Sequence, residues 1–368
     1  MAKEYFGNRA ALISLILFGV SIVQFKVFTY MYYKNIIGLS LMLFSLYILK
    51  KLENKYGKEK IAYLISFVLF AAILGAIHRP TFYIFGLSYF FYSFISPLKK
   101  GYDYTMMLSN VIVGILIVSI ALTFYLNGFM LAITQVLPYV EKSFVSPGES
   151  PGTFISFFSY QFLVLAYIPF AVIGFFILLK KRKLDILSLW IIINIIIVYF
   201  QFFFFNRFII HLDIALIIVS GIGMSVFIDN KKKTGVFIVV LIMISLFILS
   251  YRESSNSRAG ISDSELENIK EINAYTEENA SIMVLSREYS PWVLGYTNRT
   301  IIAPGLFDAN KWSEEEWNKF WDSNNSEETK EMISVYSKPL YMFSGTKKFN
   351  NPCFDLLLDN KMLYKYWC

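Results

Sequence analysis

Hydrophobic residues are concentrated before residue 251 of this chain, in long runs separated by short polar or basic segments. A helix that crosses the hydrocarbon core of a membrane needs about 20 mostly apolar residues. The runs predict membrane-spanning helices at residues 10–30, 33–49, 61–77, 81–95, 106–126, 162–179, 184–205, 208–228 and 235–250. The second and fourth runs are short, which is typical of tilted, broken or partly re-entrant segments. We therefore expect a polytopic α-helical membrane protein with about nine transmembrane helices.

The N-terminal residues "MAKEYFGNRA" lead into the first apolar run without a small-residue cleavage pattern. We therefore expect the first helix to be retained rather than removed as a signal peptide.

After residue 251 the pattern changes to short alternating helix and strand signals. Residues 251–262 are polar and Ser-rich, which is typical of a linker. Ser262-x-x-Glu265 and Ser313-x-x-Glu316 match the capping box that opens a helix. Four short apolar stretches, "SIMVLS", "RTIIAP", "KPLYMFS" and "MLYKYWC", predict strands. We expect a transmembrane helical domain at 1–250, a linker at 251–262 and an α/β domain at 263–368.

The composition agrees with this division, since 56% of the residues are hydrophobic and only 17% are charged. The net charge is +7, but residues 252–368 carry 13 basic and 18 acidic side chains, so the membrane part carries the positive charge. A nucleic-acid-binding protein would show a basic face on a soluble domain. This distribution is the reverse, and it excludes nucleic acid as an expected partner.

The basic residues also predict the orientation in the membrane. Four alternate loops hold fourteen Lys and Arg residues, at 50–60, 99–100, 180–183 and 231–233, and the other loops hold five. The positive-inside rule places the N-terminus in the cytoplasm and the C-terminal domain outside. Three N-x-S/T sequons agree with an extracytoplasmic tail, at Asn279, Asn298 and Asn324.

Both cysteines, Cys353 and Cys368, also lie in the tail, where a disulfide would persist. Spacing alone does not show whether the two residues pair or stay free.

In the stretch "FFFFNRFIIHLDIALII", the polar residues Arg207, His211 and Asp213 interrupt two apolar runs. A charge at membrane depth costs about 2.5–3.5 kcal/mol on insertion scales, so such groups face a polar cavity or one another. His78 and Arg79 lie in another tight external turn, and Lys34 lies at the outer start of the second run.

Three hairpins therefore present Lys34, Arg79 and Arg207 at the outer membrane surface. Lys and Arg match the phosphate of a lipid-linked ligand by charge and by hydrogen bonding. Two structural alternatives stay open: the side chains snorkel to ordinary phospholipid, or Arg207 pairs with Asp213 for helix packing.

Other candidate sites carry weaker signals. His78 and His211 are the only histidines, and with Asp213 they could ligate a metal, but their spacing does not match a metal site. We therefore expect no metal site, and the cofactor stays unknown, because the sequence does not support a divalent metal. The loop at about 127–160 is long enough for a binding role, or it is a passive connector. Its Glu141 and Glu149 are acid or base candidates, although solvated carboxylates are commoner.

Several pieces resemble consecutive parts of polytopic GT-C glycosyltransferases of the archaeal type: "YYKNIIGLSLMLFSLYIL", "GAIHRPTFYIF", "GTFISFFSY" and "RFIIHLDIALIIVSGIGM". The tail stretch "SREYSPWVLGYTNRTIIAPGLFDANKW" is similar to the extracytoplasmic domain of such enzymes. These enzymes transfer sugars from polyprenyl-phosphate donors on the outer face of the membrane. The resemblance implies that Arg207 holds the donor phosphate with help from Arg79 and Lys34, and that His211, Asp213 and His78 line the cavity.

The resemblance covers the C-terminal part of the family only. The catalytic carboxylate of the family follows its first helix, but the loop around Lys26 and Lys34 has no Asp or Glu. The catalytic residues are therefore unknown, and we expect the general base in N-terminal helices that this chain lacks. Loss of a general base typically costs 10²–10⁴-fold in rate, so unaided turnover should be severely reduced.

The favoured interpretation is a membrane glycosyltransferase that acts on the external face as an incomplete or split polypeptide. Its partners would be membrane lipid, a polyprenyl-phosphate sugar donor and a second chain that supplies the N-terminal half. The alternative is a non-catalytic membrane protein that binds lipid-linked phosphate or assists cell-envelope glycan assembly. A transporter is disfavoured because the sequence shows no internal repeat.

Overall fold

The computed structural model describes residues 2–29, 32–53, 55–98, 101–124, 154–182, 184–202, 205–256, 260–286, 288–304, 309–345, 349–358 and 362–368. It divides into two compact units, Met1–Asn256 and Ser257–Cys368. The first six residues of the expected linker continue a helix to Asn256. Most of the loop at 127–160, with Glu141 and Glu149, lies outside the described residues.

The described part of the first unit is helical throughout. Its helices are α1 (Ala2–Gly19), α2 (Ile22–Thr29), α3 (Tyr33–Leu52), α4 (Gly57–Ile77), α5 (Arg79–Leu98), α6 (Tyr104–Thr123), α7 (Phe157–Val164), α8 (Ile168–Arg182), α9 (Ile186–Tyr199) and α10 (Phe205–Asn256). The apolar length of these helices is that of an integral membrane protein.

Within the described ranges, five helices are long and apolar enough to cross a membrane, or up to seven if each of two bent pairs forms one span. The expected count of nine is therefore not confirmed. One reason is that α10 contains both of the last two expected spans, which meet at Lys232, where φ is 45° and ψ is −120°. Another is that α9, with 14 residues, is shorter than a span normally is.

The helix breaks do not lie in the short second and fourth runs, where the sequence suggested them. The two short runs form continuous helices of 20 residues, α3 and α5. The first expected span bends instead by 51° between α1 and α2, and the sixth bends by 80° between α7 and α8. Pro169 explains the second break, because a proline is tolerated in the first turn of a helix and cannot continue a preceding one.

Helix α10 is the centre of the membrane unit, and it packs on α1 and α8 through small residues. A Cβ atom at Gly174 of α8 would overlap the Val219 carbonyl oxygen of α10, and one at Gly223 of α10 would overlap the Phe170 carbonyl oxygen. Glycine therefore lets the two backbones touch, which is how helices commonly associate in membranes.

Two ion pairs mark one end of the membrane unit, and the directions of the helices then define the other end. At one end Lys51 lies 2.8 Å from Glu4, and Arg9 pairs with Asp229. Because α3 runs from Lys34 to Lys51, and the first half of α10 from Arg207 to Asp229, the other end holds Lys34 and Arg207. We call it the Arg207 end. This grouping does not show which end faces the cytoplasm, so the orientation stays a prediction.

Among its described residues, the second unit contains a five-stranded sheet and four helices, which confirms a small α/β domain. The helices are α11 (Asp263–Tyr275), α12 (Ser290–Tyr296), α13 (Glu314–Asp322) and α14 (Ser326–Ile333). The strands are β1 (Ser281–Val284), β2 (Thr300–Ile302), β3 (Leu340–Phe343), β4 (Phe354–Leu358) and β5 (Leu363–Tyr366), in the order β2-β1-β3-β5-β4. β1 pairs in parallel with β2 and β3, and β5 pairs antiparallel with β3 and β4.

The sequence patterns predicted most of the helices and strands of this unit. Both predicted capping boxes are present, at Ser262–Glu265 and Ser313–Glu316. The edge strand β4 was not predicted. Cys353 and Cys368 are joined by a disulfide, with Cα atoms 5.2 Å apart.

Candidate functional site at the Arg207 end

A continuous hydrogen-bond chain joins two of the predicted site residues. His78, which follows α4, lies with Nδ1 2.7 Å from the Thr81 hydroxyl of α5. The same hydroxyl lies 3.0 Å from Nε2 of His211 in α10. Thr81 and His211 are buried, although they are 130 residues apart in sequence. The structure thus brings His78 and His211 together through a residue that the sequence did not single out.

Two positive charges act on His78, the half-buried end of this hydrogen-bond chain. Burial lowers the pKa of His78 to about 4, and the charges of Arg207 and Lys34 act in the same direction. His78 is therefore a neutral imidazole at physiological pH. Arg207 is half-buried and Lys34 is exposed. Two cations and a neutral histidine, contributed by α3, α10 and the α4–α5 turn, thus share one region.

Arg79 follows His78 directly and its side chain is exposed, as expected for a cation in a turn. Its role as a third phosphate ligand stays a prediction.

Asp213 belongs to a separate buried cluster. Its Oδ2 atom accepts hydrogen bonds from the Ser21 hydroxyl at 2.9 Å and from Nε2 of Gln24 at 2.7 Å. Its Oδ1 atom accepts a hydrogen bond from the Tyr167 hydroxyl. Both carboxylate oxygens are therefore occupied by donors from the α1–α2 and α7–α8 breaks. Asp213 holds helices together, and His211 takes part in a different set of contacts.

A groove of about 390 Å³ begins beside this cluster. Ser21 and Gln24 supply polar groups, and the remaining lining is almost entirely apolar. The apolar lining comes largely from α3 and α10, including Ile36, Leu39, Leu43, Ile210 and Ile214. These residues occupy the helical turns that follow Lys34 and Arg207. The groove therefore runs along the same two helices that carry the cations.

Comparison with solved structures finds chains with a similar fold. The chain is similar to an oligosaccharyltransferase of Archaeoglobus fulgidus, whose crystal structure was solved with zinc and sulfate. The TM-score is 0.49 and the identity is 14%, over 93% of this chain and 53% of that one. The chain thus spans about half the length of that protein. No family model matches the chain, and no curated protein matches it.

Sequence reasoning missed Thr81, Ser21, Gln24 and Tyr167. Ser21 and Gln24 are polar residues inside an apolar run, and Tyr167 lies two residues before Pro169. These features could have marked a broken helix. They could not have named Asp213 as the shared partner, because the three donors are 46 to 192 residues away from it.

No group of three or more His, Cys, Asp and Glu side chains in the described part of the chain is arranged to hold a metal ion. The two histidines are bridged by a hydroxyl rather than converging on one point.

Proposed function

We propose that the Arg207 end binds the phosphate group of a lipid-linked glycosyl donor, and that this chain is part of a membrane glycosyltransferase. The proposal rests on the observation that the charges of Lys34 and Arg207 act on His78, and that the helical turns after these two cations line a largely apolar groove. Two cations suit a phosphate by charge, and Arg adds a forked pair of donors. The groove lining suits a hydrocarbon chain, because its apolar side chains provide the same kind of contacts as lipid tails.

The sequence resemblance to GT-C enzymes supports a polyprenyl phosphate that carries a sugar as the class of donor in this proposal. The transfer reaction also needs a carboxylate that acts as general base. Asp213 does not suit that role, because both of its oxygens accept hydrogen bonds inside the helix packing. We therefore propose that the base comes from another segment or a second chain.

The two cations and the apolar groove also support the alternative, a non-catalytic protein that binds lipid-linked phosphate or assists assembly of cell-envelope glycans. It predicts that binding occurs but that no sugar is transferred when a partner segment is supplied. A transfer assay with a polyprenyl-phosphate sugar therefore separates the two proposals.

Binding is tested with farnesyl phosphate, a short isoprenyl phosphate, against farnesol, which lacks the phosphate. The protein is purified in detergent. We expect Lys34→Ala with Arg207→Ala to weaken binding of farnesyl phosphate by about tenfold or more, since a hydrogen bond to a charged group contributes about 1.5–3 kcal/mol. Binding of farnesol should not change.

The control is Lys58→Ala with Lys60→Ala, which removes two exposed lysines of the α3–α4 region at the opposite end. Its affinity should equal that of the original protein. Equal loss of affinity in both double variants would show non-specific charge attraction and contradict the proposal. Equal binding of ordinary anionic phospholipid would favour snorkelling instead.

A further inference from the structure

The hydrogen-bond chain His78–Thr81–His211 has only one consistent direction. A threonine hydroxyl has a single proton, so it donates to one histidine and accepts from the other. The backbone N–H of Thr81 also donates to Nδ1 of His78, at 3.4 Å. That nitrogen is therefore an acceptor, and the Thr81 hydroxyl donates to it as well.

The rest of the direction follows from this assignment. The Thr81 oxygen accepts from Nε2–H of His211, so both imidazoles carry their proton on Nε2. Nδ1 of His211 is then unprotonated and carries a lone pair. It has no hydrogen-bond partner among the described residues. The reverse direction would put an N–H of His78 against the backbone N–H of Thr81.

Packing also keeps His78 in place for this contact. A Cβ atom at Gly38 of α3 would lie 2.7 Å from Cβ of His78, so α3 approaches the histidine more closely than any other residue type would allow. The ring of His211 is held between aromatic neighbours, with centroids 5.8 Å from Phe208 and 6.5 Å from Trp190. Packing thus holds one imidazole on each side of the Thr81 hydroxyl.

We propose that Thr81 is a positioning residue that holds His78 as the Nε2–H tautomer, so that His78 donates a hydrogen bond to the anion beside Lys34 and Arg207. This inference rests on the proposed function for the identity of the anion. The tautomer itself does not depend on that function. Thr81 is buried and acts through His78 rather than on the ligand.

The tautomers can be measured directly, because the chain has only two histidines. The full chain is labelled with ¹⁵N-histidine, and the ring nitrogens are assigned with His78→Gln and His211→Gln. We expect both rings to be neutral and protonated on Nε2. Thr81→Val, which keeps the branched shape, should add an Nδ1–H population at His78, and Thr81→Ser should restore the original spectrum. An Nδ1–H signal for His78 in the original protein, or an unchanged spectrum in Thr81→Val, would overturn the inference.

The donor role is tested with farnesyl phosphate in the same variants. We expect Thr81→Val to bind it about tenfold more weakly, the equivalent of ~1.4 kcal/mol for one hydrogen bond, and Thr81→Ser to bind it as the original protein does. A changed tautomer with unchanged affinity would overturn the donor role. Failure of the original protein to bind farnesyl phosphate would overturn the proposed function, whereas the spectra would still decide what Thr81 does.

Discussion

Asp213 shows how a single carboxylate is accommodated inside an apolar helix packing. It is completely buried in α10, and charge at such a depth is costly. Hydrogen bonds from Ser21, Gln24 and Tyr167 surround the carboxylate with donors. A carboxyl group can accept several such bonds at once. The side chain thus exchanges its hydration for three fixed partners.

We expect Asp213→Ala to lower the free energy of unfolding by about 3 kcal/mol or more, because three buried donors lose their acceptor. The measurement is thermal unfolding in detergent, followed by circular dichroism. Asp229→Ala is the matched control in the same helix, because its partner Arg9 is exposed and such pairs contribute about 0–1 kcal/mol. Similar losses in both variants would contradict a special role for the buried carboxylate.

At the scale of helices, two broken spans are tolerated because α10 donates hydrogen bonds to backbone carbonyl groups that lose their helical partners at the breaks. The Ser220 hydroxyl donates to the Tyr167 carbonyl oxygen at 3.1 Å, beside the α7–α8 break. The Ser250 hydroxyl donates to the Val20 carbonyl oxygen at 2.6 Å, beside the α1–α2 break. Irregular backbone at membrane depth needs such partners, since no water supplies them. The breaks therefore depend on the helix they pack against.

The contact between α8 and α10 gives a prediction at this scale. Gly174→Ala should destabilise the membrane unit by about 1–3 kcal/mol, because its methyl group forces the two backbones apart. Gly86→Ala, in α5, is the control, because a Cβ atom at Gly86 has nothing within 4 Å. Thermal unfolding in detergent compares the two. If Gly174→Ala is as stable as Gly86→Ala, close backbone contact does not hold this helix pair.

At the scale of the whole molecule, the two units are stabilised by different means. The membrane unit relies on helix packing in an apolar medium and on buried polar clusters. The tail unit has a sheet core with Trp312, Trp317 and Phe320 among its buried aromatic residues. The tail unit also has a covalent link between Cys353 and Cys368.

Reduction of the disulfide should therefore destabilise the tail unit and leave the membrane unit unchanged. The two cysteines are 15 residues apart, and a loop of that size contributes about 3 kcal/mol in the chain-entropy model. Five of the six tryptophans lie in the tail, so fluorescence reports on the tail and helical circular dichroism on the membrane unit. The double variant Cys353→Ser with Cys368→Ser should not respond to reductant. A parallel loss of both signals would contradict independent stabilisation.

The sequence by itself determined the class of the protein and its local elements. Apolar run length indicated a membrane protein, because the bilayer sets the length of a span. The capping boxes at Ser262 and Ser313 were predicted correctly, because each involves residues three positions apart. Lys34, Arg207 and His78 were found as candidates because polar residues are rare in apolar runs. All of these signals are local or compositional.

Only the tertiary structure decided which of these residues act together. Thr81 links His78 to His211 across 130 positions, and Asp213 takes its donors from two helix breaks that no local pattern joins to it. Periodicity also gave no reason to expect the edge strand β4 or the broken first span. A hydrogen bond between distant segments depends on how the helices cross, and crossing is set by packing at positions such as Gly38 and Gly174 rather than by the residues that bond.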